Sequence, residues 1–120
     1  MQNSYIIGSH DTRPWGKWTS LDAGNGYAVK RIEVNPGEIL SLQRHNYRGE
    51  HWTITSGNGI VTSGDKKISV AFNSSVYIPV GDWHRIENTG NTVLTFIEVQ
   101  VGENLDENDI ERSDDKYSRK

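Results

Sequence analysis

The sequence predicts an all-β fold, a single jelly-roll β-barrel of about eight short strands. Three observations predict it. Twelve glycines and only three prolines fall in turn-like clusters along the chain. The segments between those clusters are rich in β-branched and aromatic residues. No helical stretch occurs before the tail. A chain of 120 residues fits one domain, which buries roughly two-thirds of the surface that its unfolded form exposes. Residues 1–120 are therefore read as one domain with its core at about 12–102.

The elements follow in order. Gly24-Asn25-Gly26 turns into a strand over Tyr27–Val34, and Pro36-Gly37 into one over Ile39–His45. A strand over His51–Thr55 ends at Ser56-Gly57-Asn58-Gly59, and Gly59–Thr62 leads into the turn Ser63-Gly64-Asp65. Lys67–Phe72 and Ser75–Ile78 precede the turn Val80-Gly81-Asp82. His84–Asn88, the turn Thr89-Gly90-Asn91 and a long strand over Val93–Val101 complete the barrel. Each turn cluster supplies residues that tolerate left-handed backbone or bond their own main chain. Beyond Gly102 the tail carries Glu103, Asp106, Glu107, Asp109, Glu111, Asp114 and Asp115 with few apolar residues. Its composition predicts a short acidic tail or helix, solvated and frayed at its end.

Bulk properties exclude several classes of function. A net charge of −3 offers no basic stripe for a nucleic-acid backbone, so no nucleic-acid partner is expected. The sequence has no cysteine, which removes thiolate metal sites and leaves His, carboxylate and amide ligands. No long apolar run and no signal-like N-terminus is present, so no membrane association is expected and the cytoplasm is the expected location. Apolar residues make up 33% of the chain, little for a domain that must also line an interior. A homodimer that shares apolar surface is expected.

Two spaced sets of residues carry the chemistry. The first runs Gly37, Gln43, His45, Glu50, Gly57; the second runs Pro79, Gly81, His84, Asn88. Alternate residues of a strand share a face, so Gln43 and His45 project to one side. Glu50 follows after the turn Asn46-Tyr47-Arg48-Gly49, and His84 starts a distant strand. Barrel closure then brings four donors together. Two imidazoles, a carboxylate and an amide oxygen suit one divalent metal ion among zinc, iron, nickel, cobalt and manganese, with zinc placed first. Four protein ligands also leave a coordination position for a substrate oxygen.

These sets match the two motifs of the cupins, and the match continues through Arg13-Pro14-Trp15-Gly16, Lys30-Arg31-Ile32, Leu40-Ser41-Leu42-Gln43-Arg44-His45 and Arg48-Gly49-Glu50-His51-Trp52. It extends to Tyr77-Ile78-Pro79, His84-Arg85, the run Phe96–Gly102 and the tail segment Asp109-Ile110-Glu111-Arg112. Over nearly its whole length the chain resembles the type II mannose-6-phosphate isomerase domain. That is the C-terminal domain of the bifunctional mannose-6-phosphate isomerase/mannose-1-phosphate guanylyltransferases, here expected as a stand-alone domain. Gln43 in place of the usual first cupin histidine is a mark of this group. The chain departs from the pattern at Asn73, where glycine is frequent, at Asn46-Tyr47, and at Tyr117-Ser118-Arg119 in place of Tyr-Gly-Arg. The glycine-rich nucleotide signature of the guanylyltransferase part is absent, so no pyrophosphorylase activity is expected.

The resemblance implies metal-dependent aldose-ketose isomerisation between mannose 6-phosphate and fructose 6-phosphate through an enediolate. The alternatives are isomerisation or epimerisation of another sugar phosphate or nucleotide sugar, and non-catalytic sugar binding. The expected partner is a small-molecule sugar phosphate. Lys30 shares a strand face with Ala28, Ile32 and Val34, which would bury an ammonium unless it meets a polar cavity. Arg48, in the turn between ligands, is placed to grip a phosphate or a developing oxyanion. Glu98, in an apolar run, is read as a general base or as the partner of a buried cation. Lys30, Arg48 and Glu98 are the catalytic candidates, and Lys30, Arg48 and Arg85 the substrate-binding ones. Trp15, Trp18, Trp52 and Trp83 are read as packing, and His51 as pointing away from Glu50.

Overall fold

The computed structural model describes residues 1–114 and 116. The chain forms β1 (Gln2–Asn3), β2 (His10–Arg13), β3 (Gly16–Gly24), β4 (Tyr27–Val34), β5 (Leu42–Arg44), β6 (Gly49–Ser56) and β7 (Gly59–Ser63). It continues through β8 (Lys66–Val70), β9 (Ser75–Ile78), β10 (His84–Asn88), β11 (Leu94–Val101), β12 (Asn104–Leu105) and β13 (Glu111–Asp114). A six-stranded sheet in the order β2-β3-β4-β11-β6-β9 faces a five-stranded sheet in the order β13-β5-β10-β7-β8, and β1 pairs with β12. No helix among the described residues is long and apolar enough to cross a membrane.

The register explains why one end of the barrel is a core and the other a site. Strands β4 and β11 alternate buried and half-buried residues almost without exception, as a sheet with one enclosed face requires. Phe96 lies opposite Ile32 and Ile54, and Leu94 opposite Val34, so these inward rows are apolar. They meet Val61, Val70 and Ile86 of the other sheet in one cluster with Trp15, Leu40, Trp52, Val76 and Ile78. Each large aliphatic or aromatic side chain buried there contributes about 1.5–3 kcal/mol. From the next inward row along the same strands, two residues on, the residues turn polar. Glu98 lies opposite Lys30, and Gln100 opposite Glu50.

Several expected elements are longer, shorter or absent. The expected strand Ile39–His45 shrinks to β5, joined upstream by a single bridge from Ile39 to Glu87. Leu40 and Ser41 are both buried, which breaks the alternation of a regular strand. The nine-residue β3 was not expected, because a bulge between Ser20 and Asp22 erases its period-two pattern. Asn73 takes a left-handed φ of 76°, the conformation for which glycine is usual and which asparagine tolerates.

The tail, expected as a short acidic solvated tail or helix, is corrected to paired strand. The described tail forms β12 and β13, Leu105 is buried with Tyr5 and Ala28, and β13 adds to the edge of β5. Tyr5 and Leu105 also carry buried structure past the expected bounds of 12–102. Asp115 and Tyr117-Ser118-Arg119 lie outside the described residues.

Candidate metal centre

His45 follows β5, Glu50 lies near the start of β6, and His84 opens β10. All three are buried, and one ligand atom from each lies within 4.8 Å of the others. His45 Nε2 is 3.3 Å from Glu50 Oε2, and His84 Nε2 is 3.9 Å from Glu50 Oε1. The tautomers follow from the opposite side of each ring. His45 Nδ1 lies 2.7 Å from the Asp109 carbonyl and His84 Nδ1 2.8 Å from the Asp82 carbonyl. A carbonyl only accepts, so each Nδ1 carries the proton and each Nε2 presents its lone pair inward. Burial pushes the His45 pKa down to about 4, which keeps that imidazole neutral near pH 7. Two inward lone pairs and a carboxylate form a donor set that fits a metal ion.

Gln43 lines the same cavity and sits directly opposite His84 in the strand register. The four residues singled out by spacing therefore share one site.

Glu50 is nearly inaccessible, yet its environment favours the carboxylate. Burial pushes its pKa up, but Arg48, His45 and His84 together hold it well below the usual carboxylate range. Arg48 Nε donates to Glu50 Oε2 at 2.8 Å and Trp52 Nε1 to Glu50 Oε1 at 2.9 Å. Arg48 is no solvated turn residue. Its Nη1 also donates to Tyr5 Oη at 3.1 Å and to the Asp106 carbonyl at 3.3 Å, and its Nη2 lies 3.3 Å from His45 Nε2. Its donors serve the centre itself, which corrects the expectation of an arginine held out toward a phosphate.

Lys30 and Glu98 line the cavity beside the metal ligands. Lys30 Nζ sits 4.2 Å from the Trp18 ring, 4.6 Å from the Tyr5 ring and 3.9 Å from Glu107 Oε1. Burial lowers its pKa, against the pull of Glu98 and Glu107. Glu98 moves the other way: burial and then the Glu50 charge raise it to about 8. Gln100 Nε2 donates to Glu98 Oε2 at 2.8 Å. A carboxyl held there is protonated near neutral pH, so it holds a proton rather than taking one, and it stands beside a buried cation.

Arg85 is not part of the site. Strand alternation turns it away from His84 and the cavity, and its Nη1 reaches Asp114 Oδ2 at 3.2 Å. His51 also points out and stacks on Tyr77 at 4.7 Å. Trp15 and Trp52 are buried in the core, Trp18 packs against it, and Trp83 lies 4.7 Å beneath the Arg44 guanidinium.

Sequence reasoning did not place Tyr5, Arg13, Trp18, Glu107 or Arg112 among the residues that build the walls. The signal for Arg112 was the continuation of the family pattern into the tail. Arg112 lies opposite Gln43 in the register and so shares its face. For Tyr5 no signal precedes the structure, since its place depends on the pairing of β1 with β12.

The family model described as "Mannose-6-phosphate isomerase C-terminal" matches residues 2–115. The chain belongs to that family. Its members among curated proteins include the xanthan biosynthesis protein XanB of Xanthomonas campestris, 50% identical over 107 residues, 89% of this chain and 23% of XanB. Mannose-1-phosphate guanylyltransferase of Escherichia coli K12 is 50% identical over 108 residues, 89% of this chain and 22% of the relative. The chain thus spans under a quarter of either. Among solved structures, the cupin-2 domain Rru_A2000 of Rhodospirillum rubrum superposes with a TM-score of 0.74 at 22% identity, covering 94% of this chain and 81% of that one. The fold is a cupin jelly roll, as expected.

One expectation falls here. The matching relatives are named for guanylyl transfer to mannose 1-phosphate or for xanthan and alginate biosynthesis. Those names give no support to the interconversion of mannose 6-phosphate and fructose 6-phosphate by this domain, and that assignment is withdrawn.

Proposed function

We propose that this cupin is a metal-centred binding domain for a sugar phosphate, with mannose 1-phosphate as the ligand class. The observation that carries the reading is the pair of histidines whose Nδ1 protons are tied to backbone carbonyls, leaving two Nε2 lone pairs beside Glu50 on the wall of a cavity that Lys30 also lines. His45, Glu50 and His84 hold one divalent ion, zinc first among the candidates, with the Gln43 amide oxygen as fourth ligand. A metal bound there supplies Lewis-acid polarisation of a ligand oxygen.

The chain's own residues do the rest. Lys30, with Arg112 and Arg13 lining the same cavity, offers positive charge for a phosphate. Trp18 and Tyr5 hold Lys30 between their rings, so the ammonium loses little freedom when an anion arrives. Protonated Glu98 holds its proton toward the Glu50 carboxylate and keeps that wall of the cavity from carrying a second negative charge. Arg48 fixes the orientation of Glu50 and does not touch the ligand.

Calorimetric titration of mannose 1-phosphate into zinc-loaded and chelator-treated protein tests this reading. Saturable one-to-one binding is expected with zinc, weakened at least tenfold by the chelator, and absent for free mannose at the same concentrations. Equal binding with and without metal, or none at all, contradicts it.

A further inference from the structure

The acidic tail does more than cover the barrel: one of its residues, Asp109, bonds the turn that carries the metal ligand His45. Asp109 Oδ1 accepts the Asn46 amide at 2.9 Å, Asp109 Oδ2 accepts the Tyr47 amide at 3.0 Å, and the Asp109 carbonyl accepts His45 Nδ1–H at 2.7 Å. One residue thus bonds three successive positions, 45 to 47, across 62 to 64 residues of sequence. Those positions join the metal ligand His45 to the turn that leads into Arg48 and Glu50. Asp109 is itself held in place: its amide bonds the Asp106 carbonyl at 3.1 Å, the Asp106 carboxylate takes the Asn108 amide at 2.9 Å, and the Asp106 carbonyl receives Arg48 Nη1. On the far side β13 continues onto β5, where Arg44 and Glu111 pair at 2.8 Å.

We propose that Asp109 is the positioning residue of the metal centre: it latches the 45–47 turn with its carboxylate and fixes the His45 ring with its carbonyl. The inference rests on the metal reading given above and adds to it that the affinity of the centre is set from the tail. A hydrogen bond to the remote nitrogen of a metal-binding histidine fixes both tautomer and ring orientation, and loss of such an outer partner lowers metal affinity by roughly 10–100-fold. In Asp109→Ala the backbone carbonyl survives, but the two amide bonds that hold it against His45 are gone. Asp109→Asn keeps one acceptor oxygen and puts an NH2 group against the second amide, so half of the latch remains.

The test is zinc affinity by competition with a chromophoric chelator, at a temperature where every variant is folded, together with the exchange rate of the His45 Nδ1–H proton by NMR in metal-free protein. The expected order is wild type tightest, D109N weaker by several-fold and D109A weaker by about 10–100-fold, with faster Nδ1–H exchange in D109A. Val70→Ala, which removes core volume at the opposite end of the barrel, is the control for destabilisation alone and keeps wild-type zinc affinity. D109A that binds zinc as tightly as wild type, or that loses no more than V70A, overturns the inference while leaving the metal reading intact. Wild-type protein that takes up no zinc overturns the reading of the centre and the inference with it.

Discussion

Arg48→Met separates the role of this arginine in the centre from any role in ligand capture. Methionine keeps most of the apolar stem and removes the guanidinium, which donates to Glu50, Tyr5 and the Asp106 carbonyl. Glu50 is 1% exposed, so its carboxylate is left in the interior with the neutral Trp52 indole, at 2.9 Å, and the Glu98 carboxyl as donors. Breaking a buried pair by removing one partner costs about 3–5 kcal/mol, a large share of the 5–15 kcal/mol typical of a domain. Zinc changes the balance in a direction the geometry sets. A dication at His45, Glu50 and His84 returns positive charge to Glu50, and removal of Arg48 frees the His45 Nε2 lone pair that Nη2 approaches at 3.3 Å. The assay is urea unfolding of wild type and R48M at pH 7, in chelator and in excess zinc. The expected loss is about 3–5 kcal/mol in chelator and clearly smaller in zinc. A loss under about 1 kcal/mol in chelator, within the range of an exposed ion pair, or a loss that zinc leaves unchanged, refutes the account of Arg48.

Further outcomes follow from the same geometry. Lys30→Met is expected to weaken mannose 1-phosphate binding at least tenfold while zinc affinity stays within about threefold, both read by calorimetry. Glu98 has a folded pKa raised from about 4.5 to about 8, so its stabilising contribution is complete below about 4.5 and is lost as pH rises through about 8. Urea midpoints of metal-free protein between pH 5 and 8.5 should therefore fall more steeply in wild type than in Glu98→Gln. Phe96→Ala empties the centre of the core, where Phe96 is 1% exposed, and is expected to cost about 3–5 kcal/mol in thermal or urea unfolding. Arg85→Ala breaks only a peripheral pair with Asp114 and should change stability by under about 1 kcal/mol, with ligand affinity unaltered.

The parts of the site that were legible in the sequence owe it to strand alternation and to local sequence pattern. Where a strand has one enclosed face, alternation assigns every side chain, and this set Gln43 and His45 on one side, Lys30 among inward residues and His51 outward; Glu50 and His84 came from the spacing of the two motifs and Glu98 from its place in an apolar run. The same rule, applied to His84, already turns Arg85 away, and the expectation that it binds substrate ignored it. The tail failed for the opposite reason. A run of Asp and Glu reads as solvated because its partners are backbone amides and an arginine some sixty residues away, as with Asp109 and Asn46, and no local pattern encodes such pairs. Arg48 was misjudged for the same cause, since the carbonyl of Asp106 and the hydroxyl of Tyr5 that enclose it come from the two ends of the chain. Strand β3 was hidden by its bulge.

Zinc titration of metal-free wild type beside His45→Ala, Glu50→Gln and His84→Ala tests the metal centre most directly. The account predicts one zinc ion per wild-type chain and affinity lowered at least a hundredfold in each variant, with all three still folded. Wild-type affinity retained in any of the three, or no stoichiometric uptake by the wild type, contradicts it.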